Sequence, residues 1–175
     1  MALEKFSIDT VHSSVGFTVR HLMVSKVHGV FTKWSGSFAF DEANLPASHV
    51  EVTIEVASVD TREPQRDGHL RSGDFFETDK FPQMTFKSTK VEGKKDHFTV
   101  TGDLTLRGVT KPVVLDVEYA GRTVHPQMGE RAGFSATASI NRKDFGVSFN
   151  QVLEAGGVAL SEKVDIVLEV EASKA

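Results

Sequence analysis

From Phe98 the apolar side chains fall on every second position, Phe98, Val100, Leu104 and Leu106 with Gly102 between, while Thr99, Thr101, Asp103, Thr105 and Arg107 hold the other parity. That period of two belongs to a strand with one dry and one wet face. Gly108 to Lys111 supply a turn, Pro112 can open a strand where no ladder donor is needed, and alternation resumes at Val113, Leu115, Val117 and Tyr119. The stretch from His97 to Tyr119 therefore predicts an antiparallel hairpin.

The same period recurs along the chain. Val11 to Leu22 places Val15, Phe17 and Val19 on one face, and Val27 to Asp41 places Val30, Thr32, Trp34, Gly36, Phe38 and Phe40 on one parity, with a bend expected at Gly36. Val50, Val52, Ile54 and Val56 alternate with polar partners; Met84, Phe86 and Ser88 start a further strand, with Gly93 as a turn. Phe134, Ala136, Ala138 and Ile140 form a strand of smaller residues, and Val164, Ile166, Leu168 and Val170 form the last. Two stretches lack the pattern. Thr61 to Pro82 can hold one short helix opened by Pro64 and closed by Gly73 in the left-handed conformation, and Asn141 to Ser161 is irregular, as lids and binding segments are. About eight antiparallel strands close most readily into an up-and-down β-barrel, because closure removes exposed edges; a two-sheet sandwich competes.

A barrel of that size is either filled by its own side chains or holds one small ligand. Gly36, Ser88, Gly102, Ala136 and Ala138 share parity with the large apolar residues and would leave room; Trp34, Phe38, Phe40, Phe86 and Phe98 would fill it. Both readings stay open on periodicity alone. Thirteen phenylalanines against one tyrosine and one tryptophan favour a cavity lined by apolar rings, which selects hydrocarbon. The expected lining is Phe17, Val19, Trp34, Gly36, Phe38, Phe40, Val52, Ile54, Phe86, Ser88, Val100, Gly102, Leu104, Phe134, Ala136, Ala138, Phe145, Phe149, Ile166 and Leu168.

The 175 residues fit one domain, and 20 basic against 24 acidic side chains give a net charge of −4, without the footprint of a nucleic-acid or anionic-membrane binder. Cysteine is absent, which removes disulfides, thiolate metal sites and thiol nucleophiles together. The start, Met1 to Asp9, has neither a basic region nor an apolar run, and no stretch approaches the ~20 apolar residues of a membrane span; the expectation is a cytoplasmic protein.

Four stretches resemble motifs of the YceI-like family: His12-Ser-Ser-Val-Gly-Phe-Thr-Val-Arg-His21 with Val27-His-Gly-Val-Phe31; Arg66-Asp-Gly-His-Leu-Arg-Ser-Gly-Asp-Phe-Phe76 with Phe81-Pro-Gln-Met-Thr-Phe86; Gly102-Asp-Leu-Thr-Leu-Arg-Gly-Val-Thr-Lys-Pro112; and Ile140-Asn-Arg-Lys-Asp-Phe-Gly146. They span nearly the whole chain in order. The resemblance implies an all-β, lipocalin-like barrel whose long apolar interior binds polyisoprenoids or related amphiphiles, isoprenoid quinones and their precursors among them, with no common catalytic activity. Many members are exported behind a signal peptide, which the start of this sequence lacks.

Candidate head-group residues are His12, Arg20 and His21 flanking the first strand, His69 on the short helix, and Arg142 after the strand that ends at Ile140. The alternative makes them structural: His12 bonding to backbone, Arg20 to a carboxylate, the helix with Arg66, Asp67 and Arg71 a plug, and Arg142 bonded to loop carbonyls. Phe145 and Phe149 are candidates for a hydrophobic gate. The histidines show no metal-binding spacing, so no metal or cofactor is expected. Two other readings remain: an enzyme on isoprenoid or lipid substrates using His12, His21 or His69, and a filled barrel acting through its surface as a homodimer.

Overall fold

The computed structural model describes residues 3–150 and 159–175. Eight of its strands form a closed antiparallel ring: β1 (Glu4–Ile8), β4 (Trp34–Phe40), β5 (His49–Glu55), β7 (Gln83–Lys94), β8 (His97–Leu106), β9 (Val109–His125), β10 (Gly129–Asn141) and β11 (Lys163–Lys174). The ring closes because Phe6 of β1 is opposite both Phe38 of β4 and Lys174 of β11. Three strands extend it: β2 (Ser14–His21) continues along the edge of β11, β3 (Ser25–Phe31) pairs with β2, and the two-residue β6 (Val59–Asp60) pairs with β3. Beside β6 packs the helix α1 (Pro64–Arg71). Among the described residues no helix is long and apolar enough to cross a membrane.

The hairpin of β8 and β9 is tighter than its sequence suggests. Leu106 pairs directly with Val109, and Arg107 and Gly108 turn the chain with both φ angles positive, at 52° and 74°. This is the left-handed pair that a two-residue hairpin requires. Pro112 falls on a part of β9 that β10 does not reach, so its missing N–H interrupts no ladder on that side. Inward parity is as the alternation predicts along β8, β9, β10 and β11.

Two parity changes escape a simple period. The run from Val27 to Asp41 is not one strand bent at Gly36: it breaks at Thr32 and Lys33, whose backbone N–H groups donate to the carbonyl and hydroxyl oxygens of Ser58. Phe31 therefore faces the core together with Trp34, and Val30 is turned outward. In β7 an extra residue at Thr89 shifts the register against β8, so that Met84 and Phe86 before it and Val91 after it all point inward. The hairpin turn follows Lys94, and Gly93 lies within β7. The helix begins as predicted, with Pro64 in its first turn and the Glu63 carboxylate accepting from Gln65 N at 3.1 Å. It ends on Ser72 in extended conformation, so Gly73 is not a left-handed cap.

Candidate functional site

The ring encloses a cavity of about 530 Å³, within the range of small-molecule sites. Its wall is made by the inward parity of nearly every strand: Val15, Phe17 and Val19 from β2, Trp34, Phe38 and Phe40 from β4, Val52 and Ile54 from β5, Phe86 from β7, Val100 and Leu104 from β8, Phe134 and Ala136 from β10, and Ile166 and Leu168 from β11. Alternation alone identifies these positions, because a closed barrel has one inside and a period of two puts half of each strand there.

Five expected lining residues are not on the wall. Gly102 and Gly36 leave no opening, because neighbouring side chains occupy the volume a side chain would take. A Cβ at Gly102 would come within 2.7 Å of Phe86 Cε1, and one at Gly36 within 2.8 Å of Ile8 Cδ1. Ser88 ends the β5–β7 ladder, its hydroxyl accepting from Val50 N at 2.9 Å. Ala138 is half-buried opposite Ile166, and Phe145 is a core residue at 1% exposure, which removes it as a gate. Leu70, Phe75 and Phe76 line the cavity, as residues packing down from a helix across the barrel end would, and Val147 and Phe31 line it without having been singled out, since they lie on an irregular segment or before a parity break.

One end of the cavity is closed by rings. Phe6 stacks on Phe38 at 5.1 Å between centroids, Phe134 stands edge-on to both Phe38 and Phe40, and Phe40 contacts Phe98 and Tyr119. Over this floor lies an ionic lock. Arg122 donates to Glu4 at 3.0 Å, to Glu130 at 2.7 Å and to Glu42 at 3.0 Å, Lys174 reaches Glu4 at 2.7 Å, and Tyr119 donates its hydroxyl to Glu42 at 2.8 Å. Hydrogen bonds from Arg122 and Lys174 hold the Glu4 carboxyl down at about 2, and the same carboxylates raise Arg122. Charge-assisted hydrogen bonds from Arg122 and Lys174 thus tie β1, β9, β10 and β11 together over this mouth.

The opposite end is built from α1, the segment following it, and residues 142–150. His69, Phe75 and Phe149 form a three-ring cluster with centroids 4.9, 5.0 and 5.3 Å apart, and His69 Nε2 is 2.8 Å from Asp74 Oδ2. Arg142, 5% exposed, follows β10 in a 3-10 turn closed by Gly146 at φ 75°. It donates to the carbonyl oxygens of Ser161 at 2.9 Å, Val147 at 2.8 Å and Phe149 at 2.9 Å, and burial lowers its pKa. Arg107 clasps the same end by donating to the carbonyls of Gly146 and Gly73, as Arg66 does to Thr61 and Arg71 to Ala57. These arginines tie irregular backbone together, and that is why a long unpatterned stretch can fold over a barrel mouth. The rest of that stretch, 151–158, lies outside the described residues.

Among the head-group candidates, His21, His69 and Arg142 line the cavity, with Arg66, Thr61 and Asn150 beside them. His12 and Arg20 do not. They are near opposite ends of β2, which spans about 25 Å, so they cannot serve one mouth together with His21. His12 Nδ1 is 2.8 Å from Asp9 Oδ2, a carboxylate rather than the backbone partner expected, and Asp9 and Glu171 raise its pKa. Asp9, His12 and Glu171 bring ligand-type atoms within 4.8 Å of one another, a convergence invisible to spacing; Arg131 pairs with both carboxylates there and supplies the positive charge. Arg20 has no ion-pair partner among the described residues, and its backbone N–H donates to Ser161 Oγ at 3.0 Å.

The fold has close counterparts. The crystal structure of BcnA from Burkholderia cenocepacia superposes with a TM-score of 0.84 at 24% identity, covering 95% of this chain and 99% of that one. The structure of a polyisoprenoid binding domain from Saccharophagus degradans, implicated in plant cell wall breakdown, superposes with a TM-score of 0.68 at 18% identity, covering 99% of this chain and 100% of that one. In sequence, Protein YceI of Shigella flexneri is 46% identical over 160 residues, 91% of this chain and 81% of its own length. Residues 6–172 match the YceI-like domain as a whole. The chain belongs to the YceI-like family.

Proposed function

We propose that the barrel binds the chain of a polyisoprenoid or a related amphiphile, to carry, store or present it. The observation that carries this reading is the cavity itself: about 530 Å³ walled by aromatic and aliphatic side chains, with its few polar groups gathered mainly toward the α1 end. Burial of each CH2-sized group in such a wall contributes about 0.8 kcal/mol, so a prenyl tail needs no polar contact to be held. The polyisoprenoid-binding domain of the same fold is consistent with it.

The nature of the head follows from the arginines. A prenyl diphosphate would call for free guanidinium donors, and Arg142 and Arg66 at this mouth direct theirs to backbone and hydroxyl oxygens. An uncharged head such as a quinone suits this mouth, where Thr61 is bonded to Asp67 and Arg66, Asn150 to Leu160 and His69 to Asp74, and where the His21 ring reaches the cavity. Trp34, the one tryptophan, lines the cavity and gives the test. Delipidated protein titrated with a dansyl-labelled prenol is expected to show saturable energy transfer from Trp34, reversed by an unlabelled prenylquinone and less well by a prenyl diphosphate. No transfer at any concentration would overturn the proposal.

A further inference from the structure

The tip of the β2–β3 hairpin carries Leu22, Met23 and Val24, 43%, 61% and 81% exposed. Leu22 and Met23 both have left-handed backbone, at φ 52° and 62°, and Val24 N closes the turn onto His21 O at 3.2 Å. Asn and Gly take such positions with least strain. Here two large apolar side chains occupy them and face water. The fold thus accepts backbone strain and exposed hydrocarbon at one point, a combination that marks contact with something apolar.

What surrounds the tip identifies the partner. On the outward face immediately behind it Arg20 and Lys26 are directly paired across the ladder, like charges side by side, and the carboxylate that Lys26 acts on, Asp165, is itself held by Ser139 and Lys163. On the inward face of the same two strands, Val19, Val27 and Phe17 line the cavity, as does His21 at the base of the tip. An apolar path therefore runs from the tip down one side of the hairpin, and a cationic pair flanks it on the other. The net charge of −4 makes this a local feature and not a general attraction to anions.

We propose that Leu22, Met23 and Val24 insert into the interface of an anionic lipid bilayer, with Arg20 and Lys26 against its head groups, and that the cavity exchanges its ligand with the bilayer along the β2–β3 hairpin. The exchange rests on the lipid-binding reading above; the docking does not. Insertion of a few apolar side chains with adjoining cations is a recognised mode of reversible membrane attachment.

Flotation of the full chain with vesicles of equal parts phosphatidylcholine and phosphatidylglycerol, and of phosphatidylcholine alone, tests it. The parent is expected to float with the mixed vesicles. In the variant L22N/M23G, whose residues suit the left-handed turn, bound protein falls about tenfold as the tip loses its apolar area. In R20S/K26S the preference for mixed vesicles falls about fivefold per cation. Retained melting temperature and retained energy transfer from Trp34 to dansyl prenol in L22N/M23G would assign the loss to docking, apart from folding and from ligand binding. The proposal is overturned if the parent stays unbound, if L22N/M23G floats as well as the parent, or if size exclusion with light scattering finds a parent dimer that L22N/M23G abolishes, which would make a second copy the occupant of the tip.

Discussion

The ring of Phe86 covers Gly102, diagonally across the β7–β8 ladder, so tightly that a Cβ on Gly102 would lie 2.7 Å from both Phe86 Cε1 and the Lys87 carbonyl oxygen. Phe17 covers Gly29 in the same way. The small inward residues that suggested free volume thus shape the cavity indirectly, by giving aromatic rings a place to lie flat against the wall. Gly102→Leu should therefore strain the backbone and unseat Phe86, lowering stability by about 2 kcal/mol or more in urea denaturation. Unchanged stability would mean that the ring moves freely and that the wall is softer than described.

Ala136 differs, because it stands on the wall itself. Ala136→Trp should place a ring in the cavity and reduce prenol uptake at least about tenfold, measured by displacement of a dansyl prenol, while the melting temperature stays close to that of the parent. Undiminished uptake would place the ligand elsewhere.

Arg142 holds three carbonyl oxygens that no other described side chain serves so fully. Arg142→Lys keeps the charge but not the planar fork, and should cost about 2–3 kcal/mol of stability through unsatisfied buried groups. It should also raise hydrogen exchange in residues 145–150 before it affects the ring. A stable variant with unaltered exchange would reassign Arg142 to ligand contact.

The ionic lock predicts a pH response. The Glu4 carboxyl lies at about 2 in the folded state against 4.5 when unperturbed, chiefly through its hydrogen bond from Arg122. A depressed folded pKa gives stability that is complete above the unfolded value and lost as pH falls toward the folded one, so the parent should weaken between pH 4.5 and about 2. Arg122→Leu should be less stable than the parent at neutral pH by about 2–3 kcal/mol, since charged carboxylates lose their donor. That gap should narrow as acid protonates Glu4, Glu42 and Glu130. A gap independent of pH would show that Arg122 acts by packing on Phe6.

The barrel was legible in the sequence wherever one period runs through a whole strand. Val100, Leu104, Ile166 and Leu168 are placed by alternation because the inside of a closed sheet has a single parity. Legibility failed where backbone, not side chain, makes the decision. The break at Thr32 and the extra residue at Thr89 reverse parity without leaving a compositional mark, and β1 is too short for a period to register. His12 and His21 look adjacent as flanks of one strand, yet a strand separates its ends by its full length. The roles of Arg107 and Arg142 depend on which carbonyls irregular segments leave unpaired, information that exists only once the chain has folded.

Whether this cavity holds a prenyl lipid is decided by mass spectrometry of an organic extract of freshly purified protein against an unrelated control of equal mass. A prenyl lipid with an uncharged head is expected in near-stoichiometric amount, absent from Ala136→Trp prepared in parallel. A parent extract no richer than the control, followed by failure of added prenols and prenylquinones to bind, would contradict it.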